Sequence, residues 1–144
     1  MHNYGTKVVN IKNKPILDVV AGILIKDNCY FCAKRAKGHS MAGKWEFPGG
    51  KIEVGEGPQQ AVVRELKEEL SVDAKVLMDL IYLEYEYADF YLKLHVFTCE
   101  TLDTPLLSEH IEGSYRSLNE LQQLAWDDCD IQIIKSLEDY HKSK

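Results

Sequence analysis

The sequence predicts one α/β domain, an α+β sandwich, on three observations. Residues Ile16–Lys26, ILDVVAGILIK, are a run of aliphatic and β-branched side chains that suits a strand buried on both faces. Residues Pro58–Leu70 set Val62, Val63, Leu66 and Leu70 along one arc of a helix. Residues 130–141 place Ile131, Ile134, Leu137 and Glu138 at helical spacing, as an amphipathic helix packed on a sheet requires. With 144 residues, 45% of them hydrophobic, the chain can build one sizeable core and has little room for a second.

Taken in order, residues 1–15 are polar and weakly patterned, and predict no more than a frayed segment or a short leading strand. After the first strand, Asp27 and Asn28 supply a turn and Cys29–Arg35 resumes as a second strand, so the pair reads as a hairpin. Lys34, Arg35 and Lys37 follow. They are either a solvated edge or a clamp for a phosphate or base, with Arg35 the best candidate because its planar fork holds two oxygens at once. Residues 37–44 read as a loop, and residues 45–47 as a short apolar patch ended by Pro48. Gly49 and Gly50 free the backbone, residues 51–56 return as a short turn or strand, and Pro58 opens the helix where proline is best tolerated. Residues 72–87 and 90–99 read as an antiparallel pair about Ala88 and Asp89. Residues 101–112 are expected to be a loop carrying Glu109 and His110, and residues 114–116 a short strand. Ser117 would cap a helix over 118–124, with Glu120 at the capping-box position.

Composition narrows the function classes. There is no run of eighteen apolar residues, and no apolar core follows the early lysines, so neither a transmembrane span nor a secretory signal is expected. A formal charge of −6 argues against a nucleic acid polymer or an anionic membrane as partner, but one local basic pocket would still serve a small phosphorylated ligand. Cys29 and Cys32 form a C-x-x-C inside a strand, where residues three apart face opposite ways. The four cysteines are therefore expected to be small buried thiols in a reduced, cytoplasmic compartment rather than a zinc or redox site.

The acidic face of the first helix carries the chemistry. Glu65, Glu68 and Glu69 fall within an arc of about 100°, beside the apolar arc and not overlapping it. One side can pack on a sheet while the carboxylates converge on a neighbouring cleft, with Arg64 one turn before Glu68 to position it. Three carboxylates so close repel one another unless a cation or protons intervene, and a hard divalent ion such as Mg²⁺ or Mn²⁺ is the natural occupant. The plain alternative is a solvated Glu-rich helix face.

Gly50, five residues, Glu56, seven residues, then Arg64-Glu65-Leu66-Lys67-Glu68-Glu69-Leu70-Ser71-Val72 resembles the Nudix box, G-x5-E-x7-R-E-U-x-E-E-x-G-U. The departure is Ser71 where the family has glycine, which bears on the turn leaving the helix and removes no catalytic group. The surrounding WEFPGGKIEVGE and the hydrophobic strand before it resemble the MutT branch, and the likeness runs over roughly residues 18–137. The resemblance implies a Nudix fold, a mixed sheet between helices, and cleavage of a nucleoside triphosphate to monophosphate and pyrophosphate. It makes Glu65, Glu68, Glu69 and the Gly50 carbonyl the metal ligands, with Mg²⁺ the cofactor and Mn²⁺ a substitute. Arg64 would orient the glutamates, and Glu56 would support the loop and helix. Glu68 and Glu109 compete for the general base, with Glu68 preferred.

For the base, Arg35 matches an arginine that MutT-like enzymes use near the nucleotide, and Phe47 and Phe90 offer flat apolar surface, with core packing as their alternative role. Asp130 falls where guanine-recognising relatives carry asparagine and cytidine-nucleotide relatives often carry aspartate. An ionised aspartate only accepts, which favours an exocyclic amine unless Asp130 is protonated; it also suits a helix N-cap. The expected activity is thus nucleotide-pool cleansing of oxidised dGTP, or of CTP, dCTP and modified cytosine nucleotides, by a monomer or homodimer. The alternatives are a nucleotide-sensing module without turnover and a dinucleotide or nucleotide-sugar pyrophosphatase.

Overall fold

The computed structural model describes residues 13–35, 43–108 and 110–143. The expectations for residues 1–12, for most of the 37–44 loop and for Glu109 lie outside them. The elements run β1 (Ile16–Lys26), β2 (Cys29–Arg35), β3 (Trp45–Glu46), β4 (Gly49–Lys51), α1 (Pro58–Leu70), β5 (Lys75–Glu86), β6 (Tyr91–Glu100), β7 (His110–Arg116), α2 (Leu118–Leu121) and α3 (Asp128–Lys142).

β1 organises the sheet. It lies parallel to β6 from Ile16 opposite Tyr91 to Leu24 opposite Cys99, and β5 closes that side antiparallel to β6. On its other edge β1 changes partner along its length. It pairs with β2 only at Ile25 and Lys26, next to the hairpin turn, in which Asp27 and Asn28 both take positive φ. Nearer its start it pairs with β4 instead, Val20 opposite Gly50 and Ala21 opposite Gly49. β2 goes on to bond β3 and β7. The sheet therefore parts between β2 and β4.

Both faces of the sheet are covered, as the unbroken apolar pattern of β1 requires. Val20, Leu24, Phe31 and Ala33 pack with Ala61, Val62, Leu66 and Leu70 of α1. Ala21, Ile23, Tyr30 and Cys32 pack with Leu121 and with Cys129, Ile133, Ile134 and Leu137 of α3. Side chains such as Leu66 and Leu137, wholly buried, contribute about 2 kcal/mol each. The cysteines are free thiols; Cys32, Cys99 and Cys129 are buried, which pushes each up to about 12. Among the described residues no helix is long and apolar enough to cross a membrane.

Several boundaries differ from expectation. β7 begins at His110, so the segment expected as a loop to residue 112 is partly strand, its backbone satisfied by β2 although its own pattern is polar. α2 stops at Leu121, short of residue 124. α3 begins at Asp128 and its N-cap is Asp127, whose carboxylate accepts from the Cys129 N–H at 3.2 Å, so Asp130 is not the cap but sits in the first turn. Val63, assigned to the apolar arc of α1, is 36% exposed.

The C-terminus of α1 is tied down from outside. The Leu106 N–H donates to the Leu70 carbonyl at 2.8 Å and the Ser108 hydroxyl to the Glu69 carbonyl at 3.1 Å, so the following loop caps carbonyls the helix leaves open. Ser71 takes the left-handed conformation, φ 58°, that glycine adopts without strain, and its N–H still bonds the Lys67 carbonyl. Ser71→Gly should raise the free energy of unfolding by about 1 kcal/mol, read from denaturant melts.

Candidate functional site

The turn from β4 into α1 is held by one guanidinium. Arg64 donates from Nε to Glu56 Oε2 at 2.7 Å and from Nη2 to Glu56 Oε1 at 2.9 Å, a two-pronged grip. Nη2 also reaches the Lys51 carbonyl at 2.8 Å, while Nη1 reaches Glu65 at 3.0 Å and Glu68 at 3.2 Å. The hydrogen bonds from Arg64 hold the Glu56 carboxyl below the usual range, and the carboxylates hold Arg64 protonated.

Glu65, Glu68 and Glu69 face one cleft of about 400 Å³, with Gly49, Gly50 and Arg64 in its wall. Glu65 is buried at 7% exposure, whereas the Glu68 side chain is 58% exposed. Glu69 accepts the Gly49 N–H at 3.0 Å. A side chain at Gly49 would strike the Val20 carbonyl, and one at Gly50 would strike the Glu65 carboxylate. Only a bare backbone lets that carboxylate lie against the Gly50 main chain. The donors here are all oxygen, three carboxylates and a peptide carbonyl, which fits a hard divalent cation. Among the described residues no three His, Cys, Asp or Glu side chains are grouped as a ready metal centre, because Glu65 and Glu68 each turn to Arg64 and Glu69 turns to Gly49.

A second cavity of about 470 Å³ adjoins the first, and Arg35, Phe47, Phe90 and Asp130 all line it. Phe47 stacks on Trp126 with centroids 4.9 Å apart and is 5% exposed, so its ring belongs to the core as well as to the wall. Phe90 stacks on Tyr87 at 4.8 Å, and the Tyr87 hydroxyl donates to Asp127, fixing the β5–β6 turn over α3. Burial first, and then the neighbouring charge of Asp127, push the Asp130 carboxyl up to about 7 against the opposing charge of Arg35. Near neutrality it is therefore partly protonated and able to donate as well as accept, which weakens the inference from an acceptor-only aspartate to a cytosine amine.

The structure thus brings Arg35, Phe47, Gly50, Arg64, Glu65, Glu68, Glu69, Phe90 and Asp130 into two touching cavities, with Arg35, Glu46, Gly49 and Gly50 bordering both, while Glu109 lies outside the described residues. Glu56 acts from behind, through Arg64. Three residues around these cavities were not expected from the sequence. Glu46 sits between two aromatic residues in what looked like an apolar patch, His110 fell in a segment assigned to a loop, and Asp127 was hidden among three aspartates in four residues.

Comparison with known proteins bears on both cavities at once. The NUDIX domain family matches residues 17–137. The chain is 40% identical over 104 residues to the 8-oxo-dGTP diphosphatase of Escherichia coli K12, covering 71% of this chain and 81% of that one. It is 46% identical over 61 residues to the CTP pyrophosphohydrolase of the same organism, 42% of this chain and 45% of that relative. The solution structure of the E. coli ORF135 protein superposes with a TM-score of 0.82 at 29% identity, covering 94% of this chain and 97% of the other. The domain match runs from the start of β1 to the last turns of α3, taking in both the carboxylate helix and the cavity beside it, and on that extent the chain belongs to the Nudix family of hydrolases.

Proposed function

We propose that this chain is a Mg²⁺-dependent nucleoside triphosphate pyrophosphohydrolase acting on oxidised dGTP or on cytosine nucleotides. The observation that carries the reading is the shared border of the two cavities. A ligand with a flat base at one end and a polyphosphate at the other fits an apolar cavity opening onto an oxygen-lined cleft. The diphosphatase and pyrophosphohydrolase named among its relatives support the same class of substrate.

Nudix hydrolases generally use a divalent metal. When bound by Glu65, Glu68, Glu69 and the Gly50 carbonyl, it supplies charge neutralisation at the phosphates. The chain's own part is to orient and to move a proton. A water oxygen bonds to a phosphorus of the anhydride, the bridging P–O bond breaks, and pyrophosphate leaves. Glu68, far more open to the cleft than Glu65, takes the proton from the water while Arg64 holds it in place. Glu109 is the alternative base. Phe47 and Phe90 offer apolar surface to the base, and Asp130 meets its polar edge.

Pyrophosphate release should be seen from at least one of oxidised dGTP, CTP, dCTP and 5-methyl-dCTP, with a monophosphate as the other product by mass. It should stop on chelation and return with Mg²⁺. Glu68→Gln should lower kcat by about a hundredfold or more with little change in melting temperature, because Glu68 is exposed and removes no packing. Equal rates for that variant and the wild type would sink the site assignment.

Asp130 makes a pH prediction. Its folded pKa of about 7 lies above the ordinary carboxylate value, so between the two the folded state binds more protons than the unfolded and stability falls as pH rises. Asp130→Asn removes that loss. The variant should gain melting temperature over the wild type at about pH 8 and gain little at about pH 4. At the higher pH it should also shift the kcat/KM ratio away from dCTP and toward oxidised dGTP, because the amide donates where the carboxylate cannot.

A further inference from the structure

At the seam between the two cavities, three strands present one polar chain. Arg35 ends β2, Glu46 ends β3 and His110 opens β7, and Arg35 and His110 are cross-strand partners just past a register shift between Lys34 and Arg35. Such a shift turns a side chain away from the direction that regular pairing would give it. Glu46 Oε1 lies 2.5 Å from Arg35 Nη2, and Glu46 Oε2 lies 2.5 Å from His110 Nε2. Both carboxylate oxygens are thus committed. Burial alone would raise the Glu46 carboxyl, but the hydrogen bond from His110 and then the charge of Arg35 outweigh it and keep the group below its ordinary range. A carboxylate only accepts, so His110 Nε2 carries the proton. The His110 side chain is 5% exposed, and among the described residues its buried Nδ1 and the buried Arg35 Nε have no hydrogen-bond partner.

We infer that Glu46 and His110 are positioning residues for Arg35, and that the guanidinium they aim grips the phosphate nearest the sugar of a bound nucleotide. This rests on the reading that one nucleotide spans the two cavities. With the base in the apolar cavity and the outer phosphates in the carboxylate cleft, the innermost phosphate lies at their common border, which Arg35 forms. Glu46 pins one end of the guanidinium at Nη2, leaving Nη1 of the partly exposed side chain for a phosphate oxygen. A guanidinium N–H donating to a phosphate oxygen makes a charge-assisted hydrogen bond, stronger than a neutral one. His110 holds the other oxygen of Glu46, so the carboxylate cannot swing away with the arginine.

The test measures binding rather than turnover. Wild type, Glu46→Gln, His110→Leu, His110→Gln, Arg35→Ala and the Arg35→Ala/Glu46→Gln double variant are titrated, without metal, with dCMP and dGMP and with the matching nucleosides. The tighter-binding base is used for the comparison. Wild type should bind the monophosphate at least about tenfold more tightly than the nucleoside. Glu46→Gln and His110→Leu should each lose most of that preference while nucleoside affinity stays within about twofold. His110→Gln, whose amide can still donate to Glu46, should retain it. In the Arg35→Ala background Glu46→Gln should add nothing. The inference is overturned if wild type shows no preference for the monophosphate, if nucleoside affinity falls in parallel, if the variants bind as wild type does, or if Glu46→Gln costs as much without Arg35. Failure of the triphosphatase reading would show separately, as a retained phosphate preference with no pyrophosphate released from any triphosphate.

Discussion

One guanidinium, that of Arg64, sets the geometry on which the carboxylate cleft depends. It joins the loop after β4, through the Lys51 carbonyl and the Glu56 carboxylate, to its own helix, through Glu65 and Glu68. The loop carries Gly50 and the helix carries the acids, so the distance between them is fixed by this one side chain. A lysine could not do the same, because a point charge has no planar fork to hold two oxygens of Glu56 while reaching elsewhere. With its partners so placed, Arg64 also offsets the repulsion among Glu65, Glu68 and Glu69, allowing an acidic face to persist next to a buried one.

The second requirement is met by the sheet. Because β1 pairs with β2 only over its last two residues and takes β4 as partner nearer its start, the glycine loop is drawn into the middle of the sheet rather than hung from its edge. The same parting frees the ends of β2, β3 and β7 to present Arg35, Glu46 and His110 to the resulting gap. The apolar cavity and the carboxylate cleft are then two sides of one break in hydrogen bonding, which accounts for their sharing a wall.

What was legible in the sequence followed from local periodicity. Helical spacing turns the intervals among Glu65, Glu68 and Glu69 directly into a shared face, and strand alternation turns Cys29 and Cys32 into residues on opposite sides. The relation of Gly50 and Glu56 to that helix was legible only through the family spacing, since no periodicity links a loop glycine to an arginine on the next element. The rest depends on tertiary neighbours. The raised pKa of Asp130 comes from burial and from Asp127, which a linear reading does not display. Glu46 was concealed by its aromatic flanks. β7 has little strand character of its own and exists because β2 supplies its hydrogen-bond partners. Ser71 was legible as a departure, but only the backbone shows that the turn keeps its left-handed form.

The parallel pairing of β1 with β6 also governs how the chain reaches its fold. Strands beginning at Ile16 and Tyr91 become neighbours, and everything between them, including the carboxylate helix, belongs to the connection. Closing so long a loop costs entropy before any contact repays it, so the rate at which the chain folds should be limited by this distant pairing rather than by its hairpins. During synthesis, β1, β2 and α1 emerge well before β6 does. The apolar faces of β1 then wait without their central partner, which makes the nascent chain most vulnerable to aggregation in the interval before Tyr91–Glu100 leaves the ribosome.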